Sequence, residues 1–135
     1  MEGKILLVDD DPDLREAMVA ILESRDYRVI TAADGLECLE RVKEDPPDLI
    51  ILDLLMPKLD GFGVVKELKT NPRYAKYSEI PILILTAVRE EASRRRYELE
   101  TGLEMDVDDY IEKPVAPEEL LHRTGKLLAR VRGGT

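Results

Sequence analysis

The sequence predicts an α/β fold: a parallel sheet of five strands with helices wound on both faces. Three observations predict it. Five short apolar runs recur along the 135 residues; nearly continuous runs of this kind suit strands buried on both faces. Between them lie stretches whose apolar residues return at helical spacing. Finally, Asp9, Asp53, Thr86 and Lys113 fall at or just past the ends of such runs, where an open α/β sheet keeps its chemistry.

Bulk properties limit the function classes. The length suits one domain with a proper core, and 44% hydrophobic with 36% charged residues is ordinary for a globular chain. The formal net charge of -9 argues against direct nucleic-acid binding, which needs a basic footprint. No Trp and a single Phe leave no stacking platform for bases. No apolar run approaches membrane-spanning length. The single cysteine, Cys38, cannot form an internal disulfide. With no signal peptide in view, a cytoplasmic location is expected.

Taken in order, Lys4-Ile5-Leu6-Leu7-Val8 is the first buried strand. Asp9-Asp10-Asp11 follows at once. Asp11 caps the next helix, with Pro12 at its first position; Asp9 and Asp10 are not explained by capping. Leu14, Ala17, Met18, Ile21 and Leu22 form one helical stripe. Tyr27 to Ala32 is the second strand. Asp34-Gly35-Leu36-Glu37 resembles a capping box, and Leu36, Leu39 and Val42 give the next helix its inner face, with Cys38 packed beside it. Pro46-Pro47 ends that helix.

The central run, Leu49-Ile50-Ile51-Leu52, carries Asp53 at its tip. Asp60-Gly61-Phe62 turns the chain into a helix through Leu68, with Phe62 and Val65 inward. Asn71-Pro72 breaks it, and a loop or broken helical extension runs to Glu79. Ile80 to Ala87 is the fourth strand, where Pro81 fits only the strand's start. The polar stretch 89–100 reads as an exposed helix that includes Arg94-Arg95-Arg96. Val107 to Ile111 is the fifth strand, followed by Glu112-Lys113-Pro114. Pro117 opens the last helix, with Leu120, Leu121, Thr124, Leu127, Leu128 and Val131 inward. Gly125 weakens its interior and suits close packing. Residues 132–135 are expected to fray, and a single domain without an output domain is expected.

The carboxyl ends of parallel strands share one edge of the sheet, so Asp9, Asp10, Asp53, Thr86 and Lys113 should meet there. No glycine-rich nucleotide signature follows a strand. Clustered carboxylates suit a hard divalent cation. A lysine ammonium and a threonine hydroxyl can hold phosphoryl oxygens, and one carboxylate can serve as nucleophile in an aspartyl phosphate.

At these residues the chain resembles the receiver domain of bacterial two-component response regulators, most of all the stand-alone, chemotaxis-regulator kind without an output domain. The matching stretches are Ile5 to Asp11, Asp53-Leu54-Leu55-Met56-Pro57 with Asp60-Gly61, Leu85-Thr86-Ala87, and Asp109 to Pro114. The resemblance implies a flavodoxin-like, doubly wound sheet of strand order 2-1-3-4-5 with five helices. It implies Asp53 as phospho-acceptor, and Mg²⁺ held by Asp10, Asp9, Asp53 and the backbone carbonyl of Leu55. Thr86 and Lys113 would engage the phosphoryl oxygens, Tyr110 would follow Thr86, and Ala87 would leave room beside the acceptor. The Lys113-Pro114 bond is often cis in that family. The implied function is a phosphorylation-dependent switch in a phosphorelay, fed by a sensor histidine kinase or a histidine phosphotransfer domain, with a protein target downstream. Enzyme-like self-phosphorylation and slow autodephosphorylation accompany the signalling role.

The chain departs from the family at Leu55 and Met56, which set apolar groups beside the acceptor and imply less assisted hydrolysis. It departs again at Val115, in a longer segment around 103–106, and before Pro81. A homodimer through the fourth helix, fifth strand and last helix would pair Arg94, Arg95 and Arg96 with Asp106, Asp108, Asp109 and Glu112; screening within one chain is the alternative. Two rival readings fit the residues less well. A receiver-like interaction module independent of phosphorylation would not need the full set of five site residues. A small Mg²⁺-dependent phosphatase needs an acid where Leu55 stands.

Overall fold

The computed structural model describes residues 3–87, Glu98 and 107–133. Five strands pair in parallel in the order β2-β1-β3-β4-β5: β1 (Lys4–Val8), β2 (Arg28–Ala32), β3 (Leu49–Asp53), β4 (Ile82–Thr86) and β5 (Asp109–Glu112). Four α-helices are described: α1 (Pro12–Glu23), α2 (Gly35–Glu44), α3 (Gly61–Thr70) and α4 (Pro117–Gly133). A 3₁₀ helix, Pro72–Tyr77, fills the connection before β4. Of the helix expected over 89–100, Glu98 alone is described, and it is helical. The arginines at 94–96 lie outside the described residues.

Side chains alternate across a strand, and here the alternation sorts the core into two layers. Leu6, Val8, Ile50, Leu52, Ile82 and Ile84 face a layer with Cys38, Leu39 and Val42 of α2, and Val64, Val65 and Leu68 of α3. Ile5, Leu7, Leu49, Ile51, Leu83, Leu85 and Ile111 face the opposite layer, with Met18 and Leu22 of α1 and Leu120, Leu127 and Leu128 of α4. Helices on both faces leave β1, β3 and β4 without a wet side, which is why these strands read as continuous apolar runs. Cys38 is fully buried, and burial pushes its thiol up to about 12.

The caps form where the residue types place them. Asp11 accepts from the amides of Asp13 and Leu14. Asp34 accepts from the Glu37 amide at 2.9 Å, and Glu37 Oε1 accepts from the Ala33 amide at 2.6 Å. The expected box therefore closes on Ala33, one residue before the cap.

Several expectations are corrected. Leu36 is 50% exposed, because it sits in the first turn of α2, beyond the reach of the sheet. Ala17 is also exposed, at the edge of its stripe. β5 begins at Asp109; the Asp108 amide still donates to the Ile82 carbonyl at 3.0 Å, but the Ile82 amide is taken by Asp108 Oδ2 at 2.8 Å. The stretch before β4 is ordered by buried Tyr74 and Tyr77, with Lys43 over the Tyr74 ring. Gly125 is not forced by close packing, since a Cβ there would meet only Tyr27 Oη at an ordinary 3.7 Å.

Asp109 binds Arg123 at 2.6 Å and Asp108 lies 3.7 Å from Arg130. Both arginines are on α4 of the same chain, so screening within the chain already engages these two acids. No helix among the described residues is long and apolar enough to cross a membrane.

Candidate active site at the carboxyl edge of the sheet

β1 and β3 lie side by side with Val8 opposite Leu52, so their next residues, Asp9 and Asp53, emerge together. Both are buried, at 0% and 2% exposure, while Asp10 is exposed. Ligand oxygens of Asp9, Asp10 and Asp53 lie within 4.8 Å of one another. Three carboxylates drawn this close in a partly buried place repel one another, and hard oxygen donors so grouped fit a divalent cation.

Lys113 reaches the cluster from just beyond β5. Its Nζ is 3.1 Å from Asp53 Oδ1 and 3.5 Å from Asp9 Oδ2. The Lys113-Pro114 bond is cis. Burial raises the Asp9 carboxyl above its ordinary range. The Asp11 amide and the Lys113 charge oppose that rise, and the Asp10 charge adds to it.

Thr86 ends β4, is 4% exposed, and its hydroxyl donates to the Ala87 carbonyl at 3.2 Å. The Thr86 carbonyl accepts from the Lys113 amide at 2.7 Å. Tyr110 in β5 is half-buried and packs on the α2–α3 layer. Ala87 is half-buried beside Thr86. Leu55, two residues past Asp53, is 40% exposed. The site residues expected from sequence thus come from the ends of β1, β3, β4 and β5 at one edge of the sheet.

The loop after β3 is held by contacts that sequence reasoning did not single out. Gly61 donates to the Leu54 carbonyl at 2.7 Å and Gly35 to the Leu59 carbonyl at 3.0 Å. A Cβ on Gly35 would lie 2.1 Å from Leu59 O, so only glycine admits this approach. Lys58 stands at φ 68 with its ammonium 3.6 Å from Asp34. Arg15 was also missed: its Nη1 donates to the Asp9 carbonyl at 2.6 Å. An arginine in the second turn of a surface helix carries no signal of such a contact.

A family model for the response regulator receiver domain matches residues 5–124. The chain belongs to this family. Among similar proteins, the "Probable transcriptional regulator ycf27" of Porphyridium aerugineum is 44% identical over 128 residues, covering 95% of this chain and 49% of that protein. The receiver domain thus spans about half the length of the curated relatives it matches. Two solved structures share its fold closely. The chemotaxis response regulator CheY4 of Vibrio cholerae is 30% identical with a TM-score of 0.78, over 94% of this chain and 99% of that one. The receiver domain of sensor histidine kinase PA1611 from Pseudomonas aeruginosa PAO1 is 28% identical with a TM-score of 0.81, over 96% of this chain and 99% of that one. That structure has a magnesium ion coordinated in its active site cleft. Likeness to the chemotaxis protein holds for the receiver domain, while the curated relative is named for transcriptional regulation.

Proposed function

We propose that this receiver domain is a phosphorylation-controlled switch whose acceptor is Asp53. The donor is a phosphohistidine on a sensor kinase or a phosphotransfer domain. A carboxylate oxygen of Asp53 attacks phosphorus, the N–P bond breaks, and the imidazole leaves with the electron pair and takes a proton. The product is an acyl phosphate on Asp53.

Asp9, Asp10 and Asp53, with the Leu55 backbone carbonyl, would hold Mg²⁺. When bound, the ion neutralises charge that gathers on the transferring group. Lys113 offers its ammonium to a phosphoryl oxygen, a task suited to its place 3.1 Å from the acceptor. The Thr86 hydroxyl, lightly engaged by the Ala87 carbonyl, exchanges that partner for a phosphoryl oxygen. Ala87 is small enough to leave the approach open. Tyr110 responds by repacking on the surface of β5, which is read by a downstream protein. The setting is the cytoplasm.

The observation that carries this reading is the convergence of Lys113 on two buried carboxylates, Asp53 and Asp9, with Asp10 beside them. Incubation with acetyl phosphate, with and without Mg²⁺, followed by intact-protein and peptide mass spectrometry, tests it. One phosphoryl group on Asp53, dependent on Mg²⁺ and absent from Asp53→Ala, is expected. No labelling of Asp53, or full labelling of Asp53→Ala, overturns it.

A further inference from the structure

Past Val8 the β1 ladder ends. Val8 is the last residue of β1 in register with either neighbour, opposite Ala32 and Leu52. The next residues are Asp9 and Asp10, whose orientation the closing bond of the ladder does not fix by itself. The Asp9 amide still reaches the Ala32 carbonyl at 3.2 Å, and its Oδ1 accepts from the Asp11 amide at 3.0 Å. Its carbonyl accepts from Arg15 Nη1 at 2.6 Å. That oxygen belongs to the peptide unit joining Asp9 to Asp10.

Arg15 is well placed to hold it. Its own amide donates to the Asp11 carbonyl at 2.9 Å, inside α1, so the guanidinium is anchored on a regular helix whose cap is Asp11. A charge-assisted bond of this length is stronger than one between neutral groups. From the geometry we infer that Arg15 is a positioning residue for Mg²⁺ binding: it clamps the Asp9–Asp10 peptide so that both carboxylates face Asp53. The inference rests on the proposed metal-assisted site and assigns it one more residue.

Arg15 makes this contact with the backbone carbonyl of Asp9. Its loss should therefore loosen the orientation of Asp9 and Asp10 while leaving the acceptor, Lys113 and Thr86 in place. Residues that orient metal ligands from behind characteristically affect metal affinity by one to two orders of magnitude.

The test is isothermal titration of the full chain with Mg²⁺ alone, paired with acetyl phosphate labelling across Mg²⁺ concentrations. Arg15→Ala should weaken Mg²⁺ binding about tenfold, with the maximal labelling rate at saturating Mg²⁺ within about twofold of the parent. Arg15→Lys, which keeps a charged donor, should recover part of the affinity. Arg25→Ala, an exposed exchange near the far end of α1, should change nothing. Unchanged Mg²⁺ affinity in Arg15→Ala overturns the inference, as does a fall in maximal rate with affinity intact. If Arg15→Ala does not fold, Arg15→Gln is read by the same criteria. A parent chain that binds Mg²⁺ but never labels Asp53 would sink the proposed switch and leave this inference to calorimetry alone.

Discussion

The Lys113 ammonium lies 3.1 Å from Asp53 Oδ1, close enough to neutralise a buried acid and close enough to meet whatever that acid becomes. It also stands 3.5 Å from Asp9. A cation in this position does two opposing things: it screens the carboxylates, and it competes with any second cation for them. Lys113→Ala should therefore bind Mg²⁺ at least as tightly as the parent by calorimetry. Its labelling by acetyl phosphate should fall about tenfold, the equivalent of one charge-assisted hydrogen bond. Weaker Mg²⁺ binding together with unchanged labelling would show that Lys113 serves only to steady the fold.

Asp9 makes the site costly to stability. Burial holds its carboxyl above the ordinary carboxylate range, so the folded chain keeps that proton more readily than the unfolded one. The contribution is fully present below the unfolded value and is lost as pH rises through the folded one. At about pH 7 the ionised acid is therefore a burden on the fold. Asp9→Asn should raise the urea midpoint near neutrality, and the gain should shrink on acidification. Mg²⁺ at about a hundredfold over its dissociation constant should add about 2.7 kcal/mol to the parent, most of which Asp9→Asn should lose. A lower neutral-pH midpoint for Asp9→Asn would refute the account.

Leu55 sets a clock. Its side chain is 40% exposed just past the acceptor and offers no group to orient an attacking water. Leu55→Asn supplies one, and loss of the phosphoryl group should quicken on the order of tenfold. Decay of the labelled species after removal of the donor measures it. An unchanged half-life would take Leu55 out of the hydrolysis step.

Two glycines should respond in opposite directions to the same exchange. At Gly125, inside α4, the new methyl would meet only Tyr27 Oη at 3.7 Å. Gly125→Ala should stabilise by about 1 kcal/mol through helix propensity. At Gly35 the methyl would collide with the Leu59 carbonyl at 2.1 Å. Gly35→Ala should destabilise and disturb the loop after β3. Denaturant unfolding of both variants decides; two changes of the same sign would contradict this packing.

The sheet was legible because parallel strands covered on both faces leave unbroken apolar runs, as Leu49 to Leu52 do. The acids were legible because Asp9 and Asp10 exceed what a helix cap needs, Asp11 alone serving that end. What stayed hidden was the set of contacts that depends on where side chains reach in three dimensions. Arg15 on the Asp9 carbonyl and Asp108 on the Ile82 amide bind backbone atoms distant from their own place in the pattern. Leu36 misled because periodicity assigns a side of the helix but not how far the sheet extends beneath its first turn. Lys58 in the left-handed region gave no warning, since lysine is not a residue that advertises such a turn.

The 2.7 Å bond from the Lys113 amide to the Thr86 carbonyl has a mechanical meaning. It splices the tips of two neighbouring strands, one ending in Thr86 and the other leading to Lys113, whose ammonium lies 3.1 Å from Asp53. On the proposed switch, a shift of the threonine end would pass to the lysine end through this bond without crossing the core. Under that proposal the pair would work as a single rocker arm, and the Lys113 amide proton, lodged at its pivot, is the natural spectroscopic probe of which way the arm is tilted.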